Sequence, residues 1–250
     1  MQAGGYFTLD YRFFSLDKEG NGHASCGVVR TTIATLLHET CPAGDFLSPK
    51  WFSGLAKAAK NPTIRGFMVE HMTLSLMELE ALPALNMPWF KRKPTLVEIF
   101  PGNIPSRPET KGLILYIPTK HQYQAVDGIL VYWGKPQEDT RKKRRMAGDP
   151  DMISVMGVQI TLDDNHKNRE KEFLVKWNAW ASQFCQEVEF HFVWIVETIL
   201  PKFVPGMVEA TMKGPQNARV VDCPRFKRSY ITFNDVSTDI EAELARFRTP

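Results

Sequence analysis

Residues 127–133 read DGILVYW and residues 154–166 read SVMGVQITLDDNH, and these two apolar runs decide the fold. Asp127 opens the first run, and two polar residues, Gln159 and Thr161, lie near the end of the second. Side chains alternate between the two faces of a β-strand, so Gln159 and Thr161 share a face while their apolar neighbours enter the core. If the two runs form adjacent strands, we expect Asp127, Gln159 and Thr161 to converge at one end of a sheet.

The apolar runs on either side of this stretch predict an α/β protein. Runs rich in Val, Ile, Leu or Tyr indicate four strands, at residues 113–117, 127–133, 153–162 and 188–196. One helix is predicted to begin after Asn61, with Pro62 at its first position, and a second to follow Asn165. The resulting order is helix, three strands, helix, strand, and a helix between the last two strands favours a parallel pair.

Weaker patterns add elements toward both ends of the chain. The last helix is predicted to start with a capping box formed by Thr238 and Glu241. The other additions are strands at 6–16, 96–100 and 230–233 and a short helix at 31–39.

Composition excludes several classes of protein. With 43% hydrophobic and 24% charged residues over 250 positions, the chain is expected to fold rather than to be disordered. Four cysteines without a CxxC pair do not form a disulfide scaffold pattern, and reduced thiols are typical of an intracellular protein. No secretory signal pattern and no apolar run of about 18 residues occurs, so no membrane span is expected.

The formal net charge is only +3, so nucleic-acid binding must be argued from local clusters of charge. One such cluster is an unbroken cationic run made of Arg141, Lys142, Lys143, Arg144 and Arg145. It lies between the two apolar runs quoted above and is bounded by polar and turn-forming residues. Three interpretations remain open: a solvated loop, a nuclear-localisation segment, and a patch that contacts phosphates. The second predicts a nuclear location.

This order of elements, with Glu70 on the first helix, Asp127 at the second strand and GVQIT on the third, resembles the PD-(D/E)XK restriction-endonuclease-like fold over residues 61–197. The segment QITLDDNHKN (159–168) is similar to the QxT…H motif of nuclease-like domains in Crinkler effectors and retrotransposon hot spot proteins of trypanosomes. The helical segment RGFMVEHM (65–72) is similar to a G-F-x-x-E helix of those domains. The resemblance implies a restriction-endonuclease-like core, with a mixed central sheet flanked by helices.

The resemblance also implies a domain organisation. Residues 46–250 are expected to form the nuclease-like domain, and residues 1–45 an N-terminal appendage. That appendage is similar in character to the tail of the P-loop ATPase module that commonly precedes such domains, so an adjacent ATPase module is an expected partner. No GxxxxGK[ST] motif occurs in this chain, and no ATPase activity is predicted for it.

In the family, the first helix and the second and third strands supply the metal ligands, which implies that Glu70, Asp127 and Gln159 bind Mg²⁺ or Mn²⁺ for phosphodiester hydrolysis. This sequence departs from the pattern, because Gln159 and Thr161 replace the usual carboxylate and lysine of the third strand. The implied catalytic set is Asp127, Gln159 and Thr161, with His166 or Lys167 supplying the missing proton-transfer or cationic group.

Two functions from different classes follow. The first is a metal-dependent nuclease-like domain, with DNA as the expected partner. The second is a catalytically inactive pseudonuclease that serves as a DNA-binding or protein-interaction module, which the neutral side chain at position 159 favours. Structural roles also remain open for Asp127, which could simply open a strand, and for Gln159, whose amide could form a structural hydrogen bond.

Overall fold

A seven-stranded β-sheet of mixed direction is the central element of the protein. The computed structural model describes residues 14–16, 22–24, 27–57, 62–80, 92–101, 103–120, 123, 126–135, 151–162, 170–185, 187–199, 206–210 and 223–246. The seven strands of the sheet are β3 (Leu96–Phe100), β4 (Gly112–Pro118), β5 (Gly128–Gly134), β6 (Met152–Thr161), β7 (Glu187–Val196), β8 (Gly206–Ala210) and β9 (Phe226–Thr232). Two further strands, β1 (Phe14–Leu16) and β2 (Gly22–Ala24), form a separate antiparallel pair.

Helices are distributed along the whole described chain. They are α1 (Gly27–Thr40), a short 3-10 helix (Ala43–Leu47), α2 (Pro49–Lys57), α3 (Pro62–Leu79), α4 (Glu170–Ala181), α5 (Phe233–Val236) and α6 (Thr238–Ala245). None of the helices in the described ranges is long and apolar enough to cross a membrane.

The strand order in the sheet is β3-β4-β5-β6-β7-β9-β8. β4, β5 and β6 form an antiparallel meander, and β7 returns through α4 to lie parallel to β6. β9 is parallel to β7, and β8 closes that edge antiparallel to β9. The predicted α/β class and the predicted order of helix, three strands, helix and strand are confirmed, including the parallel pair.

The predictions for the C-terminal region need one correction. The capping box is formed by Thr232 and Asp235 at the start of α5, and α6 is capped by Ser237, whose side chain accepts a hydrogen bond from the Ile240 N–H. The box predicted at Thr238 is therefore wrong. The strand predicted at 230–233 is longer, because β9 begins at Phe226. Five of the described elements were not predicted: β2, the 3-10 helix, α2, the edge strand β8 and α5.

Each face of the sheet has its own hydrophobic core, because successive side chains of a strand point to opposite faces. On one face Met156 and Ile160 of β6 pack with Met72 of α3, and α6 covers the same core. On the other face Val155 of β6 packs with Trp177 of α4. The sheet therefore lies between α3 and α6 on one side, the α3 face, and α4 on the other, the α4 face.

α4 packs directly on the sheet at Gly157. A Cβ atom at this position would lie 2.8 Å from Cε1 of Phe173 and 3.0 Å from Cγ1 of Val126. Phe173 is fully buried, so its ring has little room to move away. Glycine at position 157 is therefore required by the packing of α4 on the strand.

We expect Gly157→Ala to lower the free energy of unfolding by about 1–3 kcal/mol, because the added methyl group overpacks the contact with Phe173. Chemical denaturation measures the effect. The matched control is Gly66→Ala in α3, where an added Cβ meets no atom within 4 Å. That change is expected to stabilise the helix by about 0.5–1 kcal/mol. Equal effects of the two substitutions would contradict the packing argument.

The N-terminal segment packs on α3. The rings of His38 in α1 and His71 in α3 are stacked, with centroids 5.1 Å apart and planes inclined by 21°. Buried Phe46 contacts both rings. The predicted domain boundary at residue 45 falls within the 3-10 helix, so residues on both sides of it contact α3.

Burial of His38, reinforced by the neighbouring His71, lowers the pKa of His38 to about 4. The unfolded side chain binds a proton near pH 6.5, so stability is lost as the pH falls from there toward 4. We expect the free energy of unfolding to fall by on the order of 1 kcal/mol more in the wild type than in His38→Phe between neutral pH and about pH 5. Phe keeps an aromatic ring in the stack and cannot be protonated. Parallel pH profiles of the two proteins would refute this assignment.

Candidate functional site

Asp127, which immediately precedes β5, lies beside Gln159 of β6. Gly128 of β5 pairs with Val158 of β6, which places Asp127 opposite Gln159. The Asp127 N–H donates to the Val158 carbonyl at 2.8 Å, and its carboxylate Oδ2 accepts from the Ile160 N–H at 2.7 Å. Asp127 is thus held to the backbone on both sides of Gln159. The predicted proximity of Asp127 and Gln159 is confirmed.

Gln159 points to the α4 face, because it pairs in register with Trp194 of β7, which belongs to the core on that side. Its Oε1 atom is buried and accepts no hydrogen bond from any described residue. A buried carbonyl oxygen left without a donor costs about 1–3 kcal/mol. Thr161 pairs with Val196 and shares the face of Gln159, as predicted. Gln159 therefore carries an oxygen that is suited to a bound cation or water.

Glu70 lies on α3, the helix that covers the opposite face of the sheet from Gln159. It is half-buried on α3, one helical turn before Leu74. Leu74 reaches the start of β5, where a Cβ at Gly128 would lie 2.8 Å from its Cδ2. The structure thus brings α3 to the residue next to Asp127 but places Glu70 and Gln159 on different faces. An ion shared by all three predicted ligands would have to lie beyond the end of the sheet, where the two faces meet.

A buried ion pair that the sequence analysis missed lies close to Gln159 on the α4 face. Glu170, the first residue of α4, is fully buried. Its two carboxylate oxygens accept hydrogen bonds from Nε and Nη2 of Arg228 in β9, each at 2.7 Å. The indole Nε1 of Trp194 donates to the same carboxylate at 3.1 Å. Since Trp194 is the register partner of Gln159, this ion pair adjoins the predicted site.

Sequence patterns carry little information about this ion pair. Glu170 and Arg228 are 58 positions apart, and each stands among other charged residues. Acidic residues are common in the first turn of helices, including exposed ones, so the position of Glu170 does not by itself indicate that it is buried. Only the return of β9 beside β7 brings the two charges together.

Seven of the predicted functional residues lie outside the part of the chain that the structure describes. They are Arg141, Lys142, Lys143, Arg144, Arg145, His166 and Lys167. The two segments that contain them, residues 136–150 and 163–169, join β5 to β6 and β6 to α4. Their functional roles stay predictions.

The oxygen atoms of Asp127 and Gln159 fit a hard divalent cation. Mg²⁺ binds oxygen ligands and keeps several waters, so that one or two protein carboxylates commonly suffice with substrate phosphates. A carboxylate can accept several hydrogen bonds or a metal bond besides the bond from Ile160, and the Gln159 Oε1 atom has no donor among the described residues. Among the described residues, no three His, Cys, Asp or Glu side chains are grouped so that they could hold a metal ion.

Comparison of the chain with protein families, with curated proteins and with solved structures found no match in any of the three.

The bond from Ile160 to Asp127 gives Asp127 a structural role that can be separated from its charge. We expect Asp127→Ala to lower the free energy of unfolding by about 1–3 kcal/mol, because it leaves the Ile160 N–H without its acceptor. Asp127→Asn keeps an oxygen that can accept this bond and should retain most of the stability. Urea denaturation of both variants measures the difference.

The control is Asp151→Ala, which removes a carboxylate at the other end of β6. Asp151 pairs with Lys111, whose side chain is 60% exposed, so the expected loss is at most about 1 kcal/mol. If Asp127→Asn and Asp127→Ala were equally destabilised, the hydrogen bond would not account for the role of Asp127.

Proposed function

We propose that this protein is a nuclease-like domain of the PD-(D/E)XK type, related to those of Crinkler and retrotransposon hot spot effectors, that acts on or binds nucleic acid with Mg²⁺ or Mn²⁺. The connection of the elements supports this proposal. α3, the antiparallel strands β4, β5 and β6, the helix α4 and the parallel strand β7 follow one another in the order of that fold. The two helices lie on opposite faces of the sheet.

The observation that carries the proposal is the pairing of Asp127 with Gln159. The two residues correspond to the second-strand aspartate and the first third-strand ligand of the family pattern, and this is supported by the bonds of Asp127 to the β6 backbone on both sides of Gln159. The carboxylate of Asp127 and the buried amide oxygen of Gln159, which has no described partner, are two hard oxygen ligands on neighbouring residues of the sheet. When bound there, a divalent cation would supply positive charge to a phosphodiester and to the water that attacks it.

In this proposal the protein residues orient the reacting groups. The Ile160 N–H fixes the carboxylate of Asp127, so that its second oxygen keeps a constant direction. Thr161 shares the face of Gln159 and can donate a hydrogen bond to a phosphate oxygen. Glu70 contributes a carboxylate from α3, and His166 and Lys167, which follow β6, contribute proton transfer and positive charge.

A second function, a pseudonuclease that binds DNA or a protein without cleaving, is favoured by a specific observation. One oxygen of the Asp127 carboxylate already bonds to the backbone, and Gln159 is neutral. Together the two residues bring only one negative charge to the ion. In the first function the remaining charge must come from Glu70 or from the substrate, whereas a pseudonuclease does not need it.

We further propose a nuclear location and DNA as the partner, supported by the cationic run from Arg141 to Arg145 between β5 and β6. The segment that carries this run leaves β5 after Gly134 and enters β6 at Met152, at the end of the two strands opposite to Asp127 and Gln159. An adjacent P-loop ATPase module is proposed as a further partner on the family resemblance alone.

The test uses supercoiled plasmid and single-stranded DNA, incubated with the protein in Mg²⁺ and in Mn²⁺. For an active nuclease, Asp127→Asn should reduce cleavage by about 100-fold or more, because the charge is lost while the bond to Ile160 is kept. Gln159→Glu should strengthen the metal-induced rise in melting temperature, because it adds a second carboxylate. Asp151→Asn, with the same change of charge at the other end of β6, should behave as the wild type.

The outcomes separate the two functions. Cleavage that depends on Asp127 establishes the nuclease. DNA binding without cleavage, together with no metal-induced stabilisation of the wild type, establishes the pseudonuclease. A protein that neither binds nor cleaves either DNA, in the presence of either metal, contradicts the nuclease and the DNA-binding pseudonuclease, and leaves only a pseudonuclease that binds a protein.

A further inference from the structure

We propose that Arg228 contacts a phosphate of the bound nucleic acid and that Glu170 acts as a positioning residue that orients its guanidinium group. The inference rests on the proposed function and adds to it a cation from β9.

Glu170 binds only one edge of the guanidinium. The Nε and Nη2 atoms of Arg228 each donate one hydrogen bond to the carboxylate. A guanidinium has five N–H groups, so three remain, two on Nη1 and one on Nη2. Nη1 forms no hydrogen bond with any described residue. The edge formed by Nη1 and Nη2 is a second planar fork, which matches two oxygens of a phosphate.

Glu170 and Arg228 are buried to different extents, as expected of a residue that positions an arginine and of an arginine that contacts a ligand. The Glu170 side chain is fully buried, whereas that of Arg228 is 24% exposed. The carboxylate also accepts from Trp194, so its position is fixed by three hydrogen bonds. An arginine held in this way loses little conformational entropy when it binds an anion. Arg228 is therefore a preorganised donor at the surface of the α4 face.

Arg228 lies within reach of nucleic acid bound at Asp127 and Gln159. Gln159 pairs with Trp194, and Phe192, two residues earlier on β7, pairs with Arg228. Two strand spacings and two residues along the strand separate the Cα atoms of Gln159 and Arg228 by roughly 12 Å. At this separation, Arg228 would contact a phosphate next to the one bound at Asp127 and Gln159, and not that phosphate itself.

The test measures how DNA affinity depends on salt. Each phosphate contact by a cation contributes about 0.9 to the slope of log K against log [salt] for duplex DNA. We compare the wild type with the double variant Glu170→Gln/Arg228→Gln by fluorescence anisotropy of a labelled duplex, in Ca²⁺, over a series of NaCl concentrations. The double variant keeps the net charge and avoids a buried carboxylate without its partner. We expect the slope to fall by about 0.9 and the affinity by about tenfold.

The matched control is Glu243→Gln/Arg246→Gln, which neutralises an ion pair on α6, a helix on the opposite face. Its slope should equal that of the wild type. If the Glu170/Arg228 double variant does not fold, Arg228→Lys replaces it, since lysine keeps the charge but cannot bind Glu170 and a phosphate as two forks. It should lower the affinity about tenfold in a protein that still folds.

The outcomes distinguish failure of this inference from failure of the proposed function. A folded double variant, or Arg228→Lys, that binds DNA with the slope and affinity of the wild type would show that the ion pair only joins α4 to β9. A wild type that does not bind duplex DNA at any salt concentration would overturn both the inference and the DNA-binding function on which it rests.

Discussion

The register between β5 and β6 is the constraint on which the rest of the structure depends. A slip of one residue would turn every side chain of β6 to the other face, so that Gln159 would enter the core beneath α3 and Ile160 would face α4. The carboxylate of Asp127 contributes to this register, because it accepts from the Ile160 N–H just beyond the last paired residue. The two cores and the juxtaposition of Asp127 with Gln159 thus follow from one strand pairing.

The α4 face combines close apolar packing with buried charge. Phe173 packs directly over Gly157, and one turn earlier Glu170 binds Arg228 and Trp194. A buried ion pair does not by itself stabilise a protein more than a well-packed apolar pair of the same volume does, because both charges lose their hydration on burial. Glu170 lies in the first turn of α4, where the helix dipole stabilises its negative charge. The pair nevertheless fixes where α4 begins relative to β9, and the bond from Trp194 fixes it relative to β7.

The sequence predicts elements with strong periodicity and misses those without it. β4 to β7 are runs of Val, Ile, Leu and aromatic residues in which burial on both faces leaves few alternatives. β8 is a five-residue edge strand with one exposed valine, Val208, and has no such pattern. The capping-box motif is a short pattern that matches by chance, so Thr238 with Glu241 was indicated although Thr232 with Asp235 forms the box. The closeness of Asp127 and Gln159 was predictable because a meander places consecutive strands side by side.

By itself the sequence determined the α/β class, the order of the central elements and the shared face of Gln159 and Thr161, because these follow from local periodicity and from the alternation of side chains along a strand. The tertiary structure alone decided that Glu70 and Gln159 approach from opposite faces, that His38 stacks on His71, and that Glu170 binds Arg228. These contacts join residues that lie far apart in the chain. No local pattern encodes them, since they depend on which elements the sheet brings together and on which side each helix packs.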